Sequence, residues 1–235
     1  MKAVIQAGGK GTRLRPYTLV LPKPLMPVGD LPVIEMLLKW LCRNGIDEVY
    51  ITIGYLGHLI RSLCGDGNQW GVNIIYSCEP EPLGTIGPLT LLRNQLKETF
   101  LVLNGDLITD LDVRSFISFH YQNRALVSVA VTEKSIKVDL GVVENENGRI
   151  IGFREKPTMK FHVSMGMYCM EPEILDLIPR QVPFGFDDLM HSLLIRGLPV
   201  YAFPHDGCWM DIGRQEDFLR AQELFAKNET AILGC

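Results

Sequence analysis

Two hydrophobic rhythms alternate along the chain. Short apolar runs bounded by glycine predict strands, and apolar residues recurring every three to four positions predict helices. Lys2–Ala7 is such a run, ends at Gly8 and Gly9, and reads as a buried strand. Pro32–Arg43 places Ile34, Leu37, Leu38 and Leu41 on one helical face, with Gly45 as the stop. Further strands are expected at Glu48–Ile53, Val72–Ser77, Phe100–Leu103 and Ala125–Thr132. Helices are expected at Leu56–Leu63, within Gly84–Arg93, and along Val113, Phe116, Ile117 and His120, with Asp110 and Asp112 at the entry of this last one.

This alternation predicts an α/β fold with a doubly wound, mostly parallel sheet and helices on both faces. Such sheets bind ligands beyond the carboxyl ends of their strands. After residue 140 the rhythm shortens. Gly141–Glu144, Arg149–Phe153 and His162–Cys169 read as short strands, 172–178 and 186–196 as helices, Val200–Phe203 as a strand, and a last helix begins near Arg214. A small β extension covering the pocket is expected, with residues 1–235 forming a single domain.

Composition narrows the function. The 235 residues are 47% hydrophobic and 21% charged, with a net charge of −4. That balance excludes a disordered chain and argues against a broad nucleic-acid surface. No apolar run reaches the roughly 18 residues of a membrane helix, and the first residues carry too short an apolar stretch for an export signal. Cys42, Cys64, Cys78, Cys169, Cys208 and Cys235 show no C-x-x-C or zinc spacing with the five histidines. They read as reduced thiols and the protein as cytoplasmic, without membrane or nucleic-acid partners; a homodimer is left open. His58, His120, His162, His191 and His205 show no paired spacing and read as structural or surface residues.

Candidate chemistry begins where the first strand ends, at Gly8-Gly9-Lys10-Gly11-Thr12-Arg13-Leu14-Arg15-Pro16. Glycines there let backbone N–H groups approach phosphate oxygens. The spacing is not that of a P-loop. It also fails the dinucleotide fingerprint, because Leu14 stands where a glycine or alanine is needed.

Together with Leu21-Pro22-Lys23-Pro24-Leu25, this loop resembles the signature of the sugar-1-phosphate nucleotidyltransferases. Four segments agree in order: Pro82-Leu83-Gly84-Thr85, Asn104-Gly105-Asp106, Glu155-Lys156-Pro157 and Trp209-Met210-Asp211-Ile212-Gly213. The resemblance runs from Met1 to about Phe225. It implies a Rossmann-like nucleotidyltransferase fold, with 1–135 as the nucleotide-binding half and 136–235 as the sugar-phosphate-binding half. It further implies transfer of a nucleotidyl group from a nucleoside triphosphate to a sugar 1-phosphate, with release of pyrophosphate.

Roles follow from the resemblance, residue by residue. Arg13 would hold the β- and γ-phosphates and Lys23 the α-phosphate, with Arg15 undecided between phosphate contact and surface charge. Gln6, Ala7, Gly8, Gly9, Gly11, Thr12, Glu79, Gly84, Thr85, Asn104 and Gly105 would line the nucleotide. Gly141, Glu155, Lys156 and Ser164 would meet the sugar phosphate. Asp106 and Asp211 would share a Mg²⁺, which typically takes one or two protein carboxylates plus phosphate oxygens and water.

Two departures from the family stand out. Gln6 replaces an apolar residue, and its amide could reach the base or ribose or cap a backbone group. Ser164-Met165-Gly166 replaces Asn-Ala-Gly, which suggests an altered acceptor. The hexapeptide repeat of a C-terminal β-helix is absent, so acyltransferase activity is not expected. Glu81 ahead of Pro82 favours GTP as donor. The alternatives are a cytidylyl-, uridylyl- or thymidylyltransferase acting on another phosphorylated or phosphonate acceptor, or a regulatory subunit that binds nucleotide sugars without turnover.

Overall fold

The computed structural model describes residues 1–233, and the side chains of the last helix through Glu223 together with Phe225. In chain order the elements are β1 (Lys2–Ala7), β2 (Pro27–Val28), β3 (Leu31–Pro32), α1 (Val33–Arg43), β4 (Glu48–Ile53), α2 (Gly57–Cys64), β5 (Asn73–Cys78), β6 (Phe100–Asn104) and β7 (Leu107–Thr109). There follow α3 (Val113–Gln122), β8 (Val127–Lys137), β9 (Val142–Glu146), β10 (Arg149–Arg154), β11 (Thr158–Met170), α4 (Phe186–Ile195), β12 (Val200–Pro204), β13 (Trp209–Asp211) and α5 (Gln215–Leu233).

Seven strands form the main sheet in the order β12-β8-β11-β6-β1-β4-β5. All run parallel except β11, which pairs antiparallel with both β6 and β8. The mostly parallel, doubly wound reading therefore holds. The strand expected at Ala125–Thr132 does not join β6, because β11 lies between them.

Side chains alternate across the sheet as the pleat requires. Ala3, Ile5 and Ala7 of β1, with Leu101 and Leu103 of β6, face a core shared with α1, α3 and α5. Val4, Phe100 and Val102 face the other core, closed by Ile86, Leu89 and Leu92 and by Leu189 and Leu193 of α4. α1 stops where expected: Gly45 takes a left-handed φ of 77° while Ile46 N–H donates to Leu41 O at 3.0 Å.

Two expected α-helices are instead short 3₁₀ segments, Gly87–Leu92 and Pro172–Leu177. Each starts beside a proline and spans six residues, too few for a packed α-helix to propagate. α5 begins one residue past the expected start near Arg214, at Gln215, and runs to Leu233.

Cys42, Cys64, Cys78, Cys169 and Cys208 are free thiols, and burial pushes Cys64 and Cys169 up to about 12. Cys235, also expected as a thiol, lies outside the described residues. No helix among the described residues is long and apolar enough to cross a membrane.

Candidate active site

The site opens at the carboxyl ends of β1, β4 and β6. Connections leave β1 toward β4 on one side, and β6 pairs on its other side, which makes this the topological switch point. Gly105 N–H donates to Gln6 O at 2.9 Å, so the two strand ends are tied together. A cleft of about 860 Å³ lies there. It is lined by the glycine loop from Gly8 to Arg13, by Lys23, by Glu79 to Pro82, by Gly84 and Thr85, and by Asn104 to Asp106. All the residues expected around the nucleotide, Gln6, Ala7 and Thr12 included, border this one cleft.

The glycine loop has local reasons for its composition. Gly11 has φ 57°, and a side chain there would press on Thr18, whose hydroxyl holds Gly11 O at 2.8 Å. Gly8 faces Glu79, whose carboxylate would overlap a methyl group on it. Glu79 is half-buried and its other oxygen accepts from Leu83 N–H at 3.0 Å. Burial pushes the Glu79 carboxyl above its ordinary range, and the Leu83 hydrogen bond opposes that shift. Gln6 Nε2 donates to Thr85 O, so its amide caps the backbone, one of the two roles open to it. Gly84 has φ 81°, and a Cβ would lie 2.7 Å from Phe184 O. The loop is pinned there by Ile86 N–H and Gly87 N–H, which donate to Phe184 O, and by Phe186 N–H, which donates to Thr85 Oγ1.

Lys23 sits between Pro22 and Pro24 in a 3₁₀ turn rather than an open loop. Its ammonium pairs with Asp106 and lies 3.4 Å from Asp211. A short ladder brings these carboxylates together. β13 pairs antiparallel with β7, Asp211 stands opposite Leu107, and Ile212 N–H donates to Asp106 O at 3.2 Å. Burial lowers the Lys23 pKa, with the nearby Arg13 guanidinium adding to the effect and Asp211 opposing it. Asp106 is buried and borders the cleft, whereas Asp211 is 38% exposed and lies behind it, across Lys23.

The residues expected at the sugar phosphate are less concentrated. Gly141 and Glu155 do come together: a Cβ on Gly141 would lie 3.3 Å from Glu155 Oε2 and 2.7 Å from the Phe153 ring. Glu155 and Lys156 are exposed on the arm formed by β9 and β10, and they do not line the cleft. Ser164 lies at a bulge in β11, where its Oγ accepts from Gly166 N–H at 3.2 Å and donates toward the Tyr168 hydroxyl at 3.3 Å.

Met165 corrects an expectation. It is fully buried in the core rather than at the acceptor, because the bulge turns it inward. Trp209 Nε1–H donates to Met165 O at 2.9 Å, which fixes the indole beside the bulge. A second, smaller cavity of about 230 Å³ is lined by Asp211 itself, with Thr132, Lys134, Trp209, Asp217 and Arg220 among others.

Of the two expected helix-entry residues, only Asp112 acts as one, accepting from Arg114 N–H at 3.0 Å. Asp110 instead lies 2.9 Å from His205 Nε2. His120 is structural: it is fully buried, 2.9 Å from Ser128 Oγ and 3.0 Å from Glu171 Oε1.

Sequence reasoning missed Thr52, Gly54 and Tyr55, which form the opposite wall. A signal was present, since Gly54 follows β4 as Gly8 follows β1, and the two glycines meet: a Cβ on Gly54 would lie 3.0 Å from Gly8 O. Thr52 Oγ1 is buried without a hydrogen-bond partner among the described residues.

A family model described as Nucleotidyl transferase matches residues 2–228, and the chain belongs to that family. Its relatives include a UTP–glucose-1-phosphate uridylyltransferase of Synechocystis, 35% identical over 241 residues, covering 94% of this chain and 62% of that protein. The mannose-1-phosphate guanylyltransferase catalytic subunit beta of Danio rerio is 35% identical over 236 residues, covering 97% of this chain and 65% of that one. A solved Bacillus anthracis structure, assigned as a glucose-1-phosphate thymidylyltransferase and holding sucrose, superposes with a TM-score of 0.76 at 27% identity, covering 95% of this chain and 94% of that one. The chain thus spans under two thirds of the length of the curated relatives it matches.

Proposed function

We propose that the chain catalyses Mg²⁺-dependent transfer of a nucleotidyl group from a nucleoside triphosphate, GTP by preference, to a sugar 1-phosphate. The observation that carries this reading is the Lys23 ammonium, which borders the glycine-loop cleft beside Asp106 and pairs with both Asp106 and Asp211. The relatives' names, which describe sugar-1-phosphate nucleotidyltransferases, support it.

The acceptor's phosphate oxygen attacks the α-phosphorus in line, a P–O bond forms, and pyrophosphate departs with the electrons of the broken P–O bond. The attacking oxygen is anionic near neutral pH, so no general base is needed. The difficulty is electrostatic, because two polyanions must meet and charge must be stabilised at phosphorus. Arg13 offers a forked donor to the β- and γ-phosphates, and Lys23 a point charge to the α-phosphate. The N–H groups of the glycine loop cradle the remaining oxygens. Glu155 and Lys156 on the exposed arm meet the acceptor, the lysine its phosphate and the glutamate its hydroxyls.

Two carboxylates converging on one cation form a donor set of the kind Mg²⁺ accepts, so Asp106 and Asp211 fit as its ligands. When bound there, Mg²⁺ supplies charge neutralisation at the α-phosphate. The preference for GTP rests on Glu79. A half-buried carboxylate only accepts hydrogen bonds, and guanine presents N–H donors along its pairing edge, whereas uracil and thymine present one.

The test is pyrophosphate release with Mg²⁺, crossing GTP, UTP, dTTP, CTP and ATP against a panel of sugar 1-phosphates, with phosphocholine and a phosphonate alongside. Release with GTP and a sugar 1-phosphate is expected. Release only with a non-sugar acceptor, or silence from folded protein across the panel, overturns the proposal.

A further inference from the structure

We propose that Lys23 is an exchangeable cation that closes the metal site of the free protein, so that a divalent ion enters only as the nucleotide draws the ammonium away. This rests on the magnesium reading above. Three observations carry it.

First, the ammonium occupies the place where a shared ion would sit, paired with Asp106 and 3.4 Å from Asp211. Second, the backbones that carry the two carboxylates are tied to each other without the lysine. Asp211 is fixed by the β7–β13 ladder, and Ile212 N–H holds Asp106 O. Two like charges converging on one site favour a counter-ion, and Lys23 supplies one by pairing with both. Third, the Lys23 backbone is braced by Pro22 and Pro24, and Leu25 N–H and Met26 N–H close its turn at 2.8 and 3.0 Å. Exchange is therefore a swing of the four-carbon side chain, with no loop motion required.

Charge accounting shows why the exchange couples to nucleotide. Two carboxylates and one ammonium leave a net −1. A divalent ion on the carboxylates brings them to zero and frees the ammonium as a +1 charge for the phosphates. Without phosphates the displaced ammonium competes with the divalent ion for the same oxygens, with the Asp217 carboxylate a weaker attraction nearby. Lys23 therefore positions metal and nucleotide as a pair.

The experiment measures Mn²⁺ binding by the loss of the free-ion EPR signal, in wild type, Lys23→Gln and Lys23→Met, each without nucleotide. Wild type should bind weakly, and both variants at least about tenfold more tightly, because a competing unit charge is gone. Adding Asp106→Asn to Lys23→Gln should remove the gain and so locate the ion. Melting temperature gives a second readout: Mg²⁺ alone should raise it in Lys23→Gln and Lys23→Met but not in wild type. Tight nucleotide-free binding by wild type, or no gain in either folded variant, overturns the exchange. A parallel titration of wild type and Asp106→Asn with GTP present separates the two readings. If Asp106→Asn binds Mn²⁺–GTP as wild type does, the metal assignment itself falls and takes the exchange with it. If Asp106 is required there but the variants gain nothing without nucleotide, only the exchange falls.

Discussion

Replacing Gly84 with alanine tests whether the nucleotide loop is held by backbone contact or by glycine's conformational freedom alone. The residue has φ 81°, and a Cβ would lie 2.7 Å from Phe184 O and 2.9 Å from Phe184 N. A left-handed backbone costs a residue with a Cβ about 1–2 kcal/mol. Overpacking adds about 1–3 kcal/mol, because a carbonyl and an amide cannot rotate away as a side-chain tip can. The stiffer unfolded chain returns about 0.4–1 kcal/mol. The net is a loss of about 1–4.6 kcal/mol, which at roughly 2–4 °C per kcal/mol for a domain of this size lowers the melting temperature by about 2–18 °C. Gly148 supplies the control. It has φ 84° but no atom within 4 Å of its Cβ position, so alanine there meets only the conformational part and should cost a few degrees at most. Both variants should be melted by circular dichroism and titrated with GTP. If the loop yields locally, Gly84→Ala keeps its melting temperature and loses nucleotide affinity instead. Equal melting shifts in the two variants, with nucleotide affinity unchanged, refute the contact argument.

Other outcomes follow from the same geometry. Asp106→Asn should cut turnover by about 10²-fold or more while leaving the melting temperature within a few degrees, as judged by pyrophosphate release and calorimetry. Glu79→Gln should lower kcat/KM for GTP by about 10-fold or more and narrow the preference over UTP, since it replaces a charged acceptor by a neutral one. Burial lowers the His120 pKa in the folded protein against the pull of Glu171, so the unfolded chain takes up the proton first. Stability from this residue is complete above about pH 6.5 and is lost as pH falls toward the folded value. Melting curves between pH 7.5 and 5.5 should show a slope that Lys, Asp and Glu variants elsewhere retain and His120→Gln reduces.

Much of the nucleotide side was legible because its signals are local. The apolar run of β1 ending in glycines, and the stop of α1 at Gly45, each follow from a few adjacent residues. The site itself was less so. β7 and β13 are three residues long and about a hundred residues apart, so neither shows a period, yet their ladder is what brings Asp211 to Asp106. Met165 stood out as a departure from the family's Asn-Ala-Gly, but alternation assigns its face only while the register is unbroken. The bulge between Ser164 and Tyr168 resets it. The place of β11 was equally hidden, since an apolar strand carries no local mark of which partners it will find.

That place has a consequence for the order in which the protein can be made. Both sheet partners of β8, β11 and β12, follow it in the chain, and β6 has an open edge until β11 arrives. A ribosome that has passed Lys137 but not yet reached Thr158 therefore holds a chain with one strand unpaired on both sides and another unpaired on one. Such edges recruit strands from other chains. Pauses or truncations within this stretch should yield aggregate, whereas synthesis through Met170 lets one strand close the β6 edge and one side of β8 at once, the other side of β8 waiting for β12.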